Sequence, residues 1–145
     1  MGKHNECGND LGDCMGRVTD ARLHTLRDAL IKSARRACVA ERECEWHAHL
    51  ADRDRFRADR DRAVRRCEKL LAFAVDCGSV SERGARTLAA CVYDALAIER
   101  RGVNGGAYAS DPAGHWQRMD ALSAALEKAW KHDHICRFIL VPYQG

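Results

Sequence analysis

From Arg17 to Cys77 the chain runs 61 residues without a glycine or a proline. A stretch of that length, rich in Ala, Arg, Leu and Glu and free of breakers, is predicted to be helical. Thr19 or Asp20 is placed to cap its start by accepting a bond from an otherwise orphan amide. Gly78 is placed to end it. Unbroken, such a helix would be about 90 Å long at 1.5 Å per residue, longer than a compact domain of this size is wide. Either it projects and pairs with another chain, or it breaks without help from glycine or proline.

The apolar spacing favours a break. Leu23, Leu26, Leu30, Ala34, Ala37, Cys44, Ala48 and Ala51 follow one stripe of mostly three- and four-residue steps. Phe56, Ala63, Cys67, Leu70 and Ala74 form a second. The step from Ala51 to Phe56 turns the helix by about 500°, so the second stripe lies about 140° from the first. One straight partner cannot cover both. A bend or short break near residues 50–57 is therefore expected. Across it runs a seven-residue repeat, Ala51-Asp52-Arg53-Asp54-Arg55-Phe56-Arg57 followed by Ala58-Asp59-Arg60-Asp61-Arg62-Ala63-Val64. Seven is the coiled-coil period, but two copies are fewer than a coiled coil needs.

Two shorter helices are expected downstream. Ser79 and Glu82 match a capping box, which would start a helix near Val80 that ends at Gly102. Pro112, behind Ser110 or Asp111, suits the first position of another, with Trp116, Met119 and Leu122 on its apolar face. Phe138 to Val141 is the clearest β-like run, and a lone strand would need a partner. The expected fold class is all-α. A long first helix over 18–76 packs with helices over 80–101 and 112–132, as a helical bundle or a coiled-coil-like dimer. Residues 1–16 would be an N-terminal Cys/Gly loop, 17–134 a single helical domain, and 135–145 an extended tail.

Composition narrows the function classes. No apolar run approaches the roughly 18 residues of a membrane span. The start, Met1 to Cys7, lacks the apolar stretch of a secretory signal, so a cytoplasmic location with reduced thiols is expected. Cys38, Cys67 and Cys91 sit among Ala, Val and Leu at helical spacing and read as small buried hydrophobes. There is no phosphate-cradling glycine loop and no Gly-x-Ser-x-Gly elbow, so a non-enzymatic role is expected.

Two kinds of residue cluster, metal-ligand sets and an arginine stripe, are candidates for binding. Cys7, Cys14, Cys44 and His47 supply three thiolates and an imidazole, a ligand set common in structural zinc sites. The six-residue gap between Cys7 and Cys14 is not a standard knuckle spacing. His132, His134 and Cys136 alternate and would share a face if extended. The second kind is the arginine stripe Arg53, Arg55, Arg57, Arg60, Arg62, Arg65 and Arg66, expected to face a partner. Between Asp52 and Lys69 eight basic residues are diluted by five acidic ones. With a pI near 8.5, that points to protein ahead of nucleic acid.

The expected function is a helical interaction protein, homodimeric, that binds a macromolecular protein partner. The alternative is a zinc-stabilised nucleic-acid-binding or regulatory protein. Arg outnumbers Lys 19 to 5, as in chains from GC-rich genomes. That general look suits an accessory or inhibitor protein of a phage or mobile element, of the anti-CRISPR kind, although no residue motif carries it.

Overall fold

The computed structural model describes residues 20–46, 49–104 and 112–136. They form four α-helices: α1 (Asp20–Trp46), α2 (Leu50–Asp76), α3 (Glu82–Asn104) and α4 (Pro112–Ile135). The all-α expectation holds. The single long helix over 18–76 does not: α1 and α2 are separate, and the break falls just ahead of residues 50–57. His49 has extended backbone (φ −79°, ψ 128°), and the Arg53 amide donates to its carbonyl to start α2. No breaker is needed. Histidine is a poor helix former, so the local cost of stopping is small, and folding back covers both apolar stripes.

α1 packs against all three other helices and is the centre of the bundle. Its buried face is Leu30, Ala34, Ala37, Cys38 and Cys44. α2 contributes Ala63, Cys67, Leu71 and Ala74, α3 contributes Leu88, Val92 and Leu96, and α4 contributes Met119, Leu122, Leu126 and Trp130. Each fully buried leucine contributes roughly 1.5–3 kcal/mol. With the break, α2 folds back along α1 and the two apolar stripes pack within one chain. Trp116, expected on the apolar face of α4, faces out instead (53% exposed), and on α3 Ile98 is 37% exposed. Glu99 and His115 lie inside in their place.

The α2–α3 junction is set by local chemistry. Gly78 adopts φ 81°, a left-handed conformation that favours glycine, as expected for a residue closing α2. The Ser79 amide donates to the Ala74 carbonyl (2.8 Å) and the Gly78 amide to that of Val75 (3.1 Å), the paired bonds of a Schellman turn. The cap of α3, however, is Ser81 and not Ser79. The Gly84 amide donates to Ser81 Oγ at 2.9 Å, while Ser79 is buried with its Oγ 3.0 Å from Cys77 Sγ. The carboxylate of this cap comes from across the bundle. Asp133 of α4 accepts from the Ser81 amide at 3.0 Å and from its hydroxyl. It lies so close to Gly84 that a methyl group there would overlap it. Glu82, expected to complete the capping box, is exposed. α3 and α4 also run three residues beyond the expected ends at 101 and 132.

Candidate functional site

Two charge systems are built on this frame. The first is interior. The Glu41 carboxylate on α1 is fully buried and accepts from guanidinium groups of two other helices. Arg60 Nη1 of α2 donates to Oε1 at 2.9 Å, and Arg100 of α3 donates through Nε and Nη2, both at 3.1 Å. The preceding residue, Glu99, is also buried and turns to α4. Arg118 Nε donates to its Oε2 at 2.6 Å, and His115 Nδ1 lies 2.8 Å from its Oε1. Consecutive residues lie about 100° apart around a helix, so Glu99 and Arg100 reach opposite neighbours. One chain of ion pairs thereby ties together all four helices.

Within this interior system the Glu41 carboxylate is fully engaged by its partners. Burial disfavours the Glu41 carboxylate, but the hydrogen bonds from Arg100 and Arg60 outweigh it and hold the group below its ordinary range. Cys38 nearby is pushed up to about 12, by burial first and then by Glu99, Cys67 and Glu41. Burial raises Cys67 to about 11. A thiol protonated so firmly is no nucleophile at neutral pH. Cys38 and Cys67 are buried hydrophobes, as their spacing suggested, and Cys91 is partly buried against the same core. Among the described residues no cysteine is disulfide-bonded.

The second system is a groove of about 960 Å³ between α1 and α2. Its walls carry Lys32 and Arg36 from α1 and Arg62, Arg65, Arg66 and Lys69 from α2, all exposed. Its floor is Ala29, Val39, Ala40, Phe56 and Ala63, with Ser33. Arg62 pairs with Asp59, the one carboxylate in the lining. The other five cations have no ion pair among the described residues. Six of the chain's 24 Lys and Arg residues but one of its 21 Asp and Glu residues line this groove. The groove therefore carries +5 and the rest of the chain −2, which the net charge of +3 conceals.

The seven arginines singled out in the sequence divide between these systems and the surface beside them. Arg62, Arg65 and Arg66 line the groove. Arg60 is spent on Glu41 and on Asp61 at 3.0 Å. Arg57 pairs with Asp54 at 2.9 Å, and Arg55 pairs with Asp52 at 3.8 Å while lying over the Phe56 ring. Arg53 is partly buried. Lys32 and Arg36 were missing from the expected set, because only the α1–α2 register brings them beside Arg65 and Arg66; Lys69, missing too, follows Arg65 by one turn of α2 itself. A spacing of four or seven residues along each helix was the available signal.

Of the zinc set, Cys44 is 1% exposed in the α1 face. Cys7, Cys14 and His47 lie outside the described residues. Among the described residues no three His, Cys, Asp or Glu side chains converge as metal ligands. His132 and Cys136 do meet, Nε2 to Sγ at 3.4 Å, but as helical i,i+4 neighbours and not on an extended strand. α4 continues through Ile135, where the tail was expected to begin. The rest of the tail, with Phe138 to Val141, lies outside the described residues. No helix among them is long and apolar enough to cross a membrane. No protein-family model, characterised protein or solved structure matches this chain.

Proposed function

We propose that this chain is a non-enzymatic interaction protein that binds an acidic macromolecular partner, a protein, in the groove between α1 and α2. The observation that carries the reading is five uncompensated cations around an apolar floor, in a molecule whose other arginines are largely paired. Holding like charges together without counter-charges costs stability, and a partner's carboxylates remove that cost on binding. Arginine is also favoured in protein interfaces, where its planar fork holds carboxylates in a fixed geometry.

A nucleic-acid strand is the weaker fit. Sequence-tolerant strand binding uses several aromatic platforms for stacking bases. The groove offers Phe56 alone, with alanine and valine elsewhere along its floor. A second copy of this chain is not the occupant we propose for the groove, since two grooves of +5 repel each other.

The test is affinity capture from the source organism with wild-type protein and the Arg65→Glu/Arg66→Glu variant side by side, with native mass spectrometry of the retained complex. An acidic protein held by wild type, released by salt and lost by the variant is the expected result. Nucleic acid in its place, or equal capture by both forms, refutes the reading.

A further inference from the structure

Resting on the reading of this groove as a protein-binding site, we infer that its occupant is an acidic amphipathic helix of about four turns, laid along the groove as a third helix beside α1 and α2. Three features of the groove lead there.

The floor comes first. It is made of helix side chains, and the backbone of α1 and α2 is engaged in its own helical hydrogen bonds. An extended peptide laid on Ala29, Ala40 and Ala63 would bury amides and carbonyls with nothing to receive them. A helix brings its backbone already paired, so only its side chains need to match.

The second feature is the spacing of the cations. Arg62, Arg66 and Lys69 stand at i, i+4 and i+7 on α2, and Lys32 and Arg36 at i and i+4 on α1. The α2 row spans about 10.5 Å at 1.5 Å per residue. Carboxylates at i, i+4 and i+7 of a partner helix repeat that distance, whereas three on one face of a strand span about 13 Å. Two rows, one on each wall, call for carboxylates along both edges of an apolar face.

The third feature is size. Ala29, Ser33, Ala40 and Ala63 leave room for a helix to approach closely, and Phe56 is the first residue of α2 in the lining. From Phe56 to Lys69 is about 20 Å along α2, the length of a helix of about 13 residues.

The experiment uses the full-length protein and three fluorescent probes. One is a 14-residue peptide with leucine and alanine on one helical face and glutamate along both edges. The second is the same composition scrambled to destroy that face. The third is a 12-nucleotide oligothymidylate. Anisotropy titrations at low and moderate salt give the affinities, and circular dichroism follows peptide helicity.

The amphipathic peptide is expected to bind about tenfold more tightly than the scrambled one, to gain helicity on binding and to weaken with salt. Arg65→Glu/Arg66→Glu and, separately, Lys32→Glu/Arg36→Glu each lower its affinity about tenfold at an unchanged melting temperature. Equal affinity for the two peptides overturns the helical occupant while leaving an acidic protein partner standing. Tighter binding of the oligonucleotide, or no binding of either peptide, overturns both.

Discussion

Arg35 and Arg36 are neighbours on α1 with opposite fates. Arg35 reaches across to α4, where its Nη1 donates to the Met119 carbonyl at 2.9 Å and to Ser123 Oγ at 2.8 Å. Arg36 stands exposed on the wall of the groove without an ion pair among the described residues. The same division separates Arg60, locked onto buried Glu41, from Arg65 and Arg66 a turn further along α2. Guanidinium groups that reach an acceptor on another helix hold the bundle together. Those of the groove contribute little to the fold and are available to another molecule. Charge content alone does not distinguish the two roles; the presence of an acceptor on a neighbouring helix does.

The sharpest way to break this contrast is to remove the interior acceptor. Glu41→Ala leaves Arg60 with Asp61 alone and lets half-exposed Arg100 turn to solvent, and we expect a loss of about 1.5–3 kcal/mol by chemical unfolding. Gly84→Ala is expected to cost about 1–3 kcal/mol, because the added methyl drives Asp133 off the α3 cap. Both should lower stability without altering the groove.

Acid titration isolates the interior system further. Glu41 ionises more readily in the folded protein than in the unfolded chain. Its contribution is therefore complete above the ordinary value near 4.5 and is lost as pH falls through its lower folded value. Stability measured between pH 6 and pH 3 should fall less steeply in Glu41→Gln than in wild type.

At the groove the expectation reverses. Arg65→Glu/Arg66→Glu should change stability by no more than about 0.5 kcal/mol while abolishing partner capture. The smallest effect concerns the thiols. Cys38 and Cys67, with values near 12 and 11, should resist a thiol reagent at pH 8 until the protein unfolds, as followed by mass spectrometry.

Much of the frame was legible in the sequence. The alternation of Leu30, Ala34 and Ala37, the left-handed stop at Gly78 and the start at Pro112 depend on local chemistry, and they stand where local reasoning put them. Glu41 and Glu99 did not announce themselves. A carboxylate in a helical pattern reads as solvent-facing unless its partners are known. For Glu41 these are 19 and 59 residues away. The groove was half legible for the same reason. Arg62, Arg65 and Arg66 form a visible cluster, while Lys32 and Arg36 join them only once α1 and α2 fold back on each other. The break that permits this carries no glycine or proline and was placed a few residues late.

The adjacency of Glu99 and Arg100 gives the bundle a way of rejecting its own errors. Each of the two meets an opposite charge on a different helix, so their order along α3 acts as a sign code for assembly. Turning α3 by one residue in one sense would set Glu99 toward buried Glu41, and in the other sense Arg100 toward Arg118, so either slip puts like against like. Apolar side chains tolerate such slips, since one leucine contact resembles another. Buried like charges do not, and the misassembled form is penalised before it can settle.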